Sequence, residues 1–178
     1  MQIIFDFDGV IINSHKIKSA AFFKIFKIYG ENVGLSALNY HIKNIGKSRY
    51  QKFRFIYEKF LRKKFTKKEL IKIDKAFEEF TVNKILKMKP NPNLINFLKK
   101  NKNKHKFYVS TGTPQKKIKI LMKKKNLYNL FRKIYGSPKS KIDHIKKIVK
   151  KNKKTIFIGD SLEDYKCAKK MNIFFLLK

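Results

Sequence analysis

The 178-residue chain has no tryptophan, one cysteine, four prolines and only 12 acidic residues. With Cys167 alone, no intrachain disulfide can form, and stability must come from a packed core. Cys167 lies in Tyr165-Lys166-Cys167-Ala168, where a small buried helix residue is expected rather than a reactive thiol. No apolar run approaches the roughly 18 residues that a membrane span needs. Met1 to Asn13 is apolar but broken by Asp6 and Asp8, so it does not read as the core of a signal peptide. A soluble, cytoplasmic protein is expected. Against so few acids stand 45 lysines and arginines, a formal charge of +33. Such a surplus raises the possibility of a nucleic-acid-binding protein without enzymatic activity, since basic surfaces attract phosphate backbones. Arginine, however, is also scarce, being confined to Arg49, Arg54, Arg62 and Arg132. The lysines are spread along the chain among abundant Asn, Ile and Phe, the texture of a bias toward AT-rich codons. A surface built to read phosphates and bases favours arginine's bidentate fork. Nucleic acid is therefore not the expected partner, although the positive field favours encounter with small anions.

An apolar fraction of 43% fits a globular protein with one core domain and a modest insertion. Ile17, Ala20, Ala21, Ile25 and Ile28 keep helical spacing up to Tyr29-Gly30. A second helix is read from Phe53, Ile56, Tyr57, Phe60 and Leu61. A third opens at Thr66-Lys67-Lys68-Glu69, a capping-box pattern, and runs through Leu70, Ile73, Phe77 and Phe80. These aromatic stripes read as core packing. Residues 15–86 are thus expected to form an all-helical insertion, with 1–14 and 87–178 forming the core domain. After Lys89-Pro90-Asn91-Pro92, a short helix around Leu94, Phe97 and Leu98 leads to a strand at Phe107 to Val109. Beyond it the pattern predicts a helix over 114–125, a strand at Ile134-Tyr135 and a helix over 139–151. A strand from Thr155 to Ile158, a helix over 162–170 and a strand from Ile173 to Leu177 complete it. Alternation of this kind implies an α/β fold, a parallel sheet flanked by helices. Ligands of such sheets bind beyond the carboxyl ends of the strands, where Asp6, Ser110 and Asp160 fall.

The opening strand ends in Asp6-Phe7-Asp8-Gly9-Val10. Two carboxylates two residues apart on extended backbone point to one side. Their repulsion is relieved by a cation, a shared proton or a lysine. Further along come Ser110-Thr111-Gly112-Thr113-Pro114, lysines after Gly136-Ser137-Pro138, and Gly159-Asp160-Ser161-Leu162-Glu163-Asp164. In this order, each at a strand end, the four segments resemble the signature motifs of the haloacid dehalogenase-like (HAD) hydrolases, most closely the phosphoglycolate phosphatase-like branch. The resemblance covers essentially the whole chain.

It implies a Rossmann-like core with a helical cap between the first and second motifs, acting on a small phosphorylated metabolite. Asp6 would attack phosphorus and carry the phosphoryl group as an aspartyl-phosphate. Asp8 would serve as general acid and base. Its carboxylate places the chain among phosphoryl-transfer members, not dehalogenases. Mg²⁺ would be held by the Asp6 carboxylate, the Asp8 backbone carbonyl and Asp160, a set of oxygens that suits this ion. Asp164 would support the metal or the lysine, or else be a first-turn acid favoured by the helix dipole. Ser110 would donate to a phosphoryl oxygen, helped by the Thr111 and Gly112 backbone, unless the segment is simply a helix cap. Of Lys139 and Lys141, the resemblance favours Lys141 for offsetting charge between Asp6 and phosphate. In the cap, His41-Ile42-Lys43-Asn44-Ile45-Gly46-Lys47-Ser48-Arg49-Tyr50 is similar to the loop that reaches over the active site in this branch, and Arg49 is expected to clamp a second anionic group. His15 and His41 are expected to be structural or exposed. The alternative activity in this family is a phosphomutase, which returns the phosphoryl group to a sugar instead of to water.

Overall fold

A computed structural model describes residues 1–149 and 154–178. Its centre is β1 (Gln2–Phe5), buried along its whole length, as expected of a middle strand covered on both faces. Around it β2 (Lys106–Pro114), β3 (Lys133–Ser137), β4 (Thr155–Gly159) and β5 (Phe174–Leu177) form one parallel sheet in the order β3-β2-β1-β4-β5. Phe5 is in register with Val109 on one side and with Ile158 on the other. The residues that follow these three positions therefore emerge together at one edge of the sheet. Alternate strand residues feed two cores. Phe5, Val109, Ile118 and Met122 pack on one face, and Ile4, Tyr108, Phe157 and Ile145 on the other.

The helices are α1 (His15–Lys27), α2 (Glu31–Lys43), α3 (Arg49–Phe55), α4 (Lys67–Lys87), α5 (Pro92–Asn101), α6 (Gln115–Lys124), α7 (Lys141–Ile148) and α8 (Leu162–Lys170). The first four surround a third core in which Phe22 touches Phe26, Phe53 and Phe77, so the aromatic stripes do serve packing. Each such buried ring contributes about 1.5–3 kcal/mol. Near its end α4 leaves this cluster, and Ile85 joins the core of the sheet. Thr66 accepts from the Glu69 amide at the start of α4. The reciprocal capping boxes are found elsewhere, in Ser140/Asp143 at α7 and Ser161/Asp164 at α8.

Three sequence expectations need correction. Helix α2 has no counterpart among the helices read from periodicity, because Gly30, Gly34 and Asn32 weaken the helical pattern. Gly34 is needed there: a Cβ would lie 3.1 Å from the Lys27 Cα, so its absence lets α2 pack tightly on α1. Strand β2 extends through Ser110-Thr111-Gly112-Thr113 to Pro114, well beyond Val109, since β3 pairs with it again after a register shift. Helix α7 starts at Lys141, not 139; expected positions 150–151 lie outside the described residues. Cys167 is buried in α8, and burial pushes its thiol up to about 11. Among the described residues no helix is long and apolar enough to cross a membrane.

Candidate active site

Directly after β1, the Asp6 amide donates to the Ile158 carbonyl at 3.0 Å, tying the turn to β4. The chain then bends through Gly9, whose φ of +80° lies in the region open to glycine. A Cβ at Gly9 would stand 1.9 Å from Asp160 Oδ2, so glycine is what lets β1 and β4 bring their acids together. Asp6 is 2% exposed. Its Oδ2 accepts from Lys141 Nζ at 2.9 Å, and the same ammonium donates to Asp164 Oδ1 at 2.5 Å. The other Asp164 oxygen is held by the Ser161 hydroxyl at 2.6 Å. Asp164 therefore anchors Lys141 under Asp6, while Lys139 is exposed.

Asp8 faces the other way, toward α1, where Ser14 donates to Oδ1 and Lys18 Nζ lies 2.5 Å from Oδ2. Lys18 also donates to the Thr113 hydroxyl at 3.0 Å. These surroundings separate the two aspartates electrostatically. Burial, reinforced by Asp164 and Asp8 and only partly offset by Lys141, pushes Asp6 up to about 7. Burial raises Asp8 as well, but the charge and hydrogen bond of Lys18, with that of Ser14, outweigh it and hold the carboxyl at about 2. For Lys141, burial alone would lower the ammonium; Asp6 and Asp164 outweigh it and keep it charged.

Asp160 follows β4. Its Oδ2 is 2.5 Å from His15 Nε2, a hydrogen bond that raises the His15 pKa, while its buried Oδ1 finds no hydrogen-bond partner among the described residues. One oxygen each from Asp6, Asp160 and Asp164 lie within 4.8 Å of one another. Four carboxylates, of Asp6, Asp8, Asp160 and Asp164, thus meet two ammonium groups and one imidazole. A surplus of negative charge and an orphaned carboxylate oxygen suit a hard dication.

Two expected residues stand in other company. The Ser110 hydroxyl is 3.0 Å from His144 Nδ1, in α7, and the part of its segment that lines the cavity is Gly112 and Thr113. Burial lowers His144 to about 4, so this is a bond between neutral groups, one turn beyond Lys141. Thr111 Oγ1 accepts from the Thr113 amide at 3.2 Å. Arg49 lines the cavity, but its Nη2 is ion-paired with Asp74 Oδ1 at 2.6 Å and Glu78 Oε1 at 2.9 Å, above the Phe77 ring. Of the guanidinium expected to clamp a second anion, Nη2 thus serves two acids of α4, while Nε is buried without a hydrogen-bond partner among the described residues. Arg49→Ala is accordingly expected to cost about 2–3 kcal/mol of unfolding free energy, measured by urea denaturation. A loss below about 0.5 kcal/mol would mean that these pairs behave as solvated surface contacts.

Above Asp6 and Asp8 lies a cavity of about 40 Å³, lined also by Lys18 of α1, His41 of α2, Lys47 and Lys52 of α3. The loop between α2 and α3 rests on β2: a Cβ at Gly112 would come 2.9 Å from the carbonyl oxygens of Gly46 and Lys47. His41 is buried against Phe22, as a structural residue would be, yet it also faces this cavity. Lys18, Lys52 and His144 gave no sequence signal. Lys18 follows the Asp8 turn at helical spacing, but one lysine among so many is invisible.

The geometry can be set beside known proteins. No curated protein matches the chain. Among solved structures, a hydrolase from Pseudomonas syringae aligns with a TM-score of 0.76 at 19% identity, covering 99% of this chain and 83% of that one. A predicted phosphoglycolate phosphatase from Haemophilus somnus gives 0.70 at 19%, covering 99% and 84%. A haloacid dehalogenase-like family hydrolase from Streptococcus pneumoniae gives 0.66 at 20%, covering 99% and 83%. The family model described as haloacid dehalogenase-like hydrolase matches residues 3–178. A match of that span, over a parallel sheet whose central strand leads into Asp6 and Asp8, places the chain in the haloacid dehalogenase-like hydrolase family.

Proposed function

We propose that the protein is a Mg²⁺-dependent phosphatase that hydrolyses a small phosphate monoester through an aspartyl-phosphate on Asp6. The observation that carries this reading is the division of labour between two neighbouring aspartates: Asp6 is held by Lys141 beside Asp160, and Asp8 is turned to Lys18 and Thr113 below the cap. Asp6 Oδ would attack phosphorus, with Lys141 offsetting the repulsion between carboxylate and phosphate. Asp8, ionised beside Lys18 and Ser14, would take up the proton that the bound phosphate monoanion brings, give it to the leaving oxygen and later take one from the attacking water, a role typically worth about 10² to 10⁴ in rate. A phosphorylated Asp6 would then be released by that water. The Thr111 hydroxyl, whose oxygen already accepts from the Thr113 amide, would donate its proton to a phosphoryl oxygen, with the Gly112 backbone beside it. Ser110 would act through His144, keeping α7 and hence Lys141 in position.

Asp6, Asp160 and the Asp8 carbonyl would hold the magnesium ion, which when bound supplies positive charge against the phosphoryl oxygens. The test is a panel of phosphate esters assayed with and without metal. Mg²⁺ is expected to restore activity lost to EDTA, and Ca²⁺, which prefers more ligands at longer distances, to restore little. Full turnover after exhaustive chelation would remove the metal from the proposal.

A further inference from the structure

His15 stands where three parts of the chain meet. As the first residue of α1 it follows the turn after β1, and its Nε2 lies 2.5 Å from Oδ2 of Asp160, just beyond β4. A Cβ at Gly9 would come 2.3 Å from the same nitrogen and 1.9 Å from the same oxygen, so the pair is packed against bare Gly9 backbone. Both sides of this contact are fixed. The Ser14 amide donates to the Ile12 carbonyl and the Ser14 hydroxyl to Asp8, which sets the entry into α1. Lys178 Nζ, 2.5 Å from the Gly9 carbonyl, holds the turn itself. The imidazole has no part in the chemistry assigned to Asp6, Asp8 and Lys141.

What the contact does is divide the two oxygens of Asp160. Oδ2 takes the hydrogen bond from His15, and Oδ1 stays buried without a hydrogen-bond partner among the described residues. Within the group of oxygens that Asp6, Asp160 and Asp164 form, Lys141 fixes Asp6 and Asp164. Among the described residues His15 alone fixes the side chain of Asp160. Without that donor the carboxylate would be free to turn about its Cβ–Cγ bond and exchange its oxygens, or to draw in water. Donation through Nε2 needs only the neutral ring, so the carboxylate is oriented without positive charge being set against an ion.

We infer that His15 is a positioning residue for the metal: by donating from Nε2 to Asp160 Oδ2 it keeps the bare Oδ1 aimed at the ion, and so sets how tightly Mg²⁺ is held. This rests on the Mg²⁺-dependent reading above and concerns the ion, not the ester. The outer partners of metal-ligating carboxylates carry much of a site's affinity, and losing one typically costs about 10- to 100-fold. His15 and Lys18, three residues apart, lie on one face of α1. The first turn of a single helix therefore holds both Asp160, through His15, and Asp8, through Lys18.

The test follows Mg²⁺ alone, with no ester present. Metal-free protein is titrated with Mg²⁺ in a calorimeter at about pH 8.5, well above the ordinary histidine pKa near 6.5, and circular dichroism checks that each variant is folded. His15→Leu, which keeps bulk but has no donor, is expected to weaken Mg²⁺ binding about 10- to 100-fold. His15→Gln, whose side-chain amide nitrogen reaches the place of Nε2, should stay within about 3-fold of the unsubstituted protein. Should leucine prevent folding, His15→Asn makes the same comparison, because its shorter amide stops short of Asp160 and is expected to bind as weakly. Binding by His15→Leu or His15→Asn that equals or exceeds that of the unsubstituted protein would overturn the inference alone, and so would His15→Gln no better than these. Absence of Mg²⁺ binding by the unsubstituted protein would instead overturn it together with the metal-dependent reading.

Discussion

Asp6→Asn is expected to reduce phosphate-ester turnover by at least about a thousand-fold, because an amide is not a nucleophile toward phosphorus. The folded state should survive. Asn has the same shape, Lys141 keeps its 2.5 Å contact with Asp164, and the carboxylate that burial disfavours is removed. The assay is single-turnover hydrolysis of para-nitrophenyl phosphate with Mg²⁺, with a thermal melt to confirm folding. Residual activity above a few per cent in a folded variant would exclude Asp6 as the attacking group. Asp8→Asn should be milder with this good leaving group, which needs little protonation, and more severe with an alkyl phosphate. A burst of phenolate with slow release of phosphate would then report phosphorylated Asp6 waiting for an activated water.

The sheet and the site were legible to different depths. Strand β1, with its continuous apolar run into Asp6-x-Asp8-Gly9, was readable because burial on both faces and a glycine turn leave plain marks. The alternation from residue 92 onward implied the parallel sheet, and order along the chain brought Asp6 and Asp160 to one edge. What escaped was side-chain company. Ser110 and Thr111 are adjacent in a strand and so face opposite ways, a choice that depends on the register of β2 with its neighbours. Arg49 gave no sign of its ion pairs because Asp74 and Glu78 lie a whole helix away in sequence. Helix α2 was hidden because its glycine serves a close approach to α1 and not helix formation. Lysine abundance concealed Lys18 and Lys52, which only burial and the identity of their neighbours distinguish.

Lys141→Met is expected to damage stability and catalysis together. Lys141 is 5% exposed, and its ammonium stands between two carboxylates, Asp6 at 2.9 Å and Asp164 at 2.5 Å. Breaking such a buried pair costs about 3–5 kcal/mol, chiefly because the remaining charges are left without compensation. That cause has a pH signature. Burial already pushes the Asp6 carboxyl up to about 7, and without the cation that partly offsets it Asp6 holds its proton to a still higher pH in the folded chain, well above the unfolded value. Below the ordinary carboxylate range, near 4, both states are protonated and the penalty vanishes. As pH rises from there to the higher folded-state value of Asp6 the unfolded chain alone ionises, and the stability is lost by the time that value is passed. Urea midpoints of Lys141→Met should therefore fall further behind the unsubstituted protein at pH 8 than at pH 5. Adding Asp6→Asn should recover part of the deficit at pH 8, because it removes one of the two stranded charges. A deficit independent of pH would identify lost packing of the lysine stem as the cause. Turnover of Lys141→Met alone should stay low even at pH 5, where its stability deficit is smaller, since nothing then offsets the repulsion between Asp6 and an incoming phosphate.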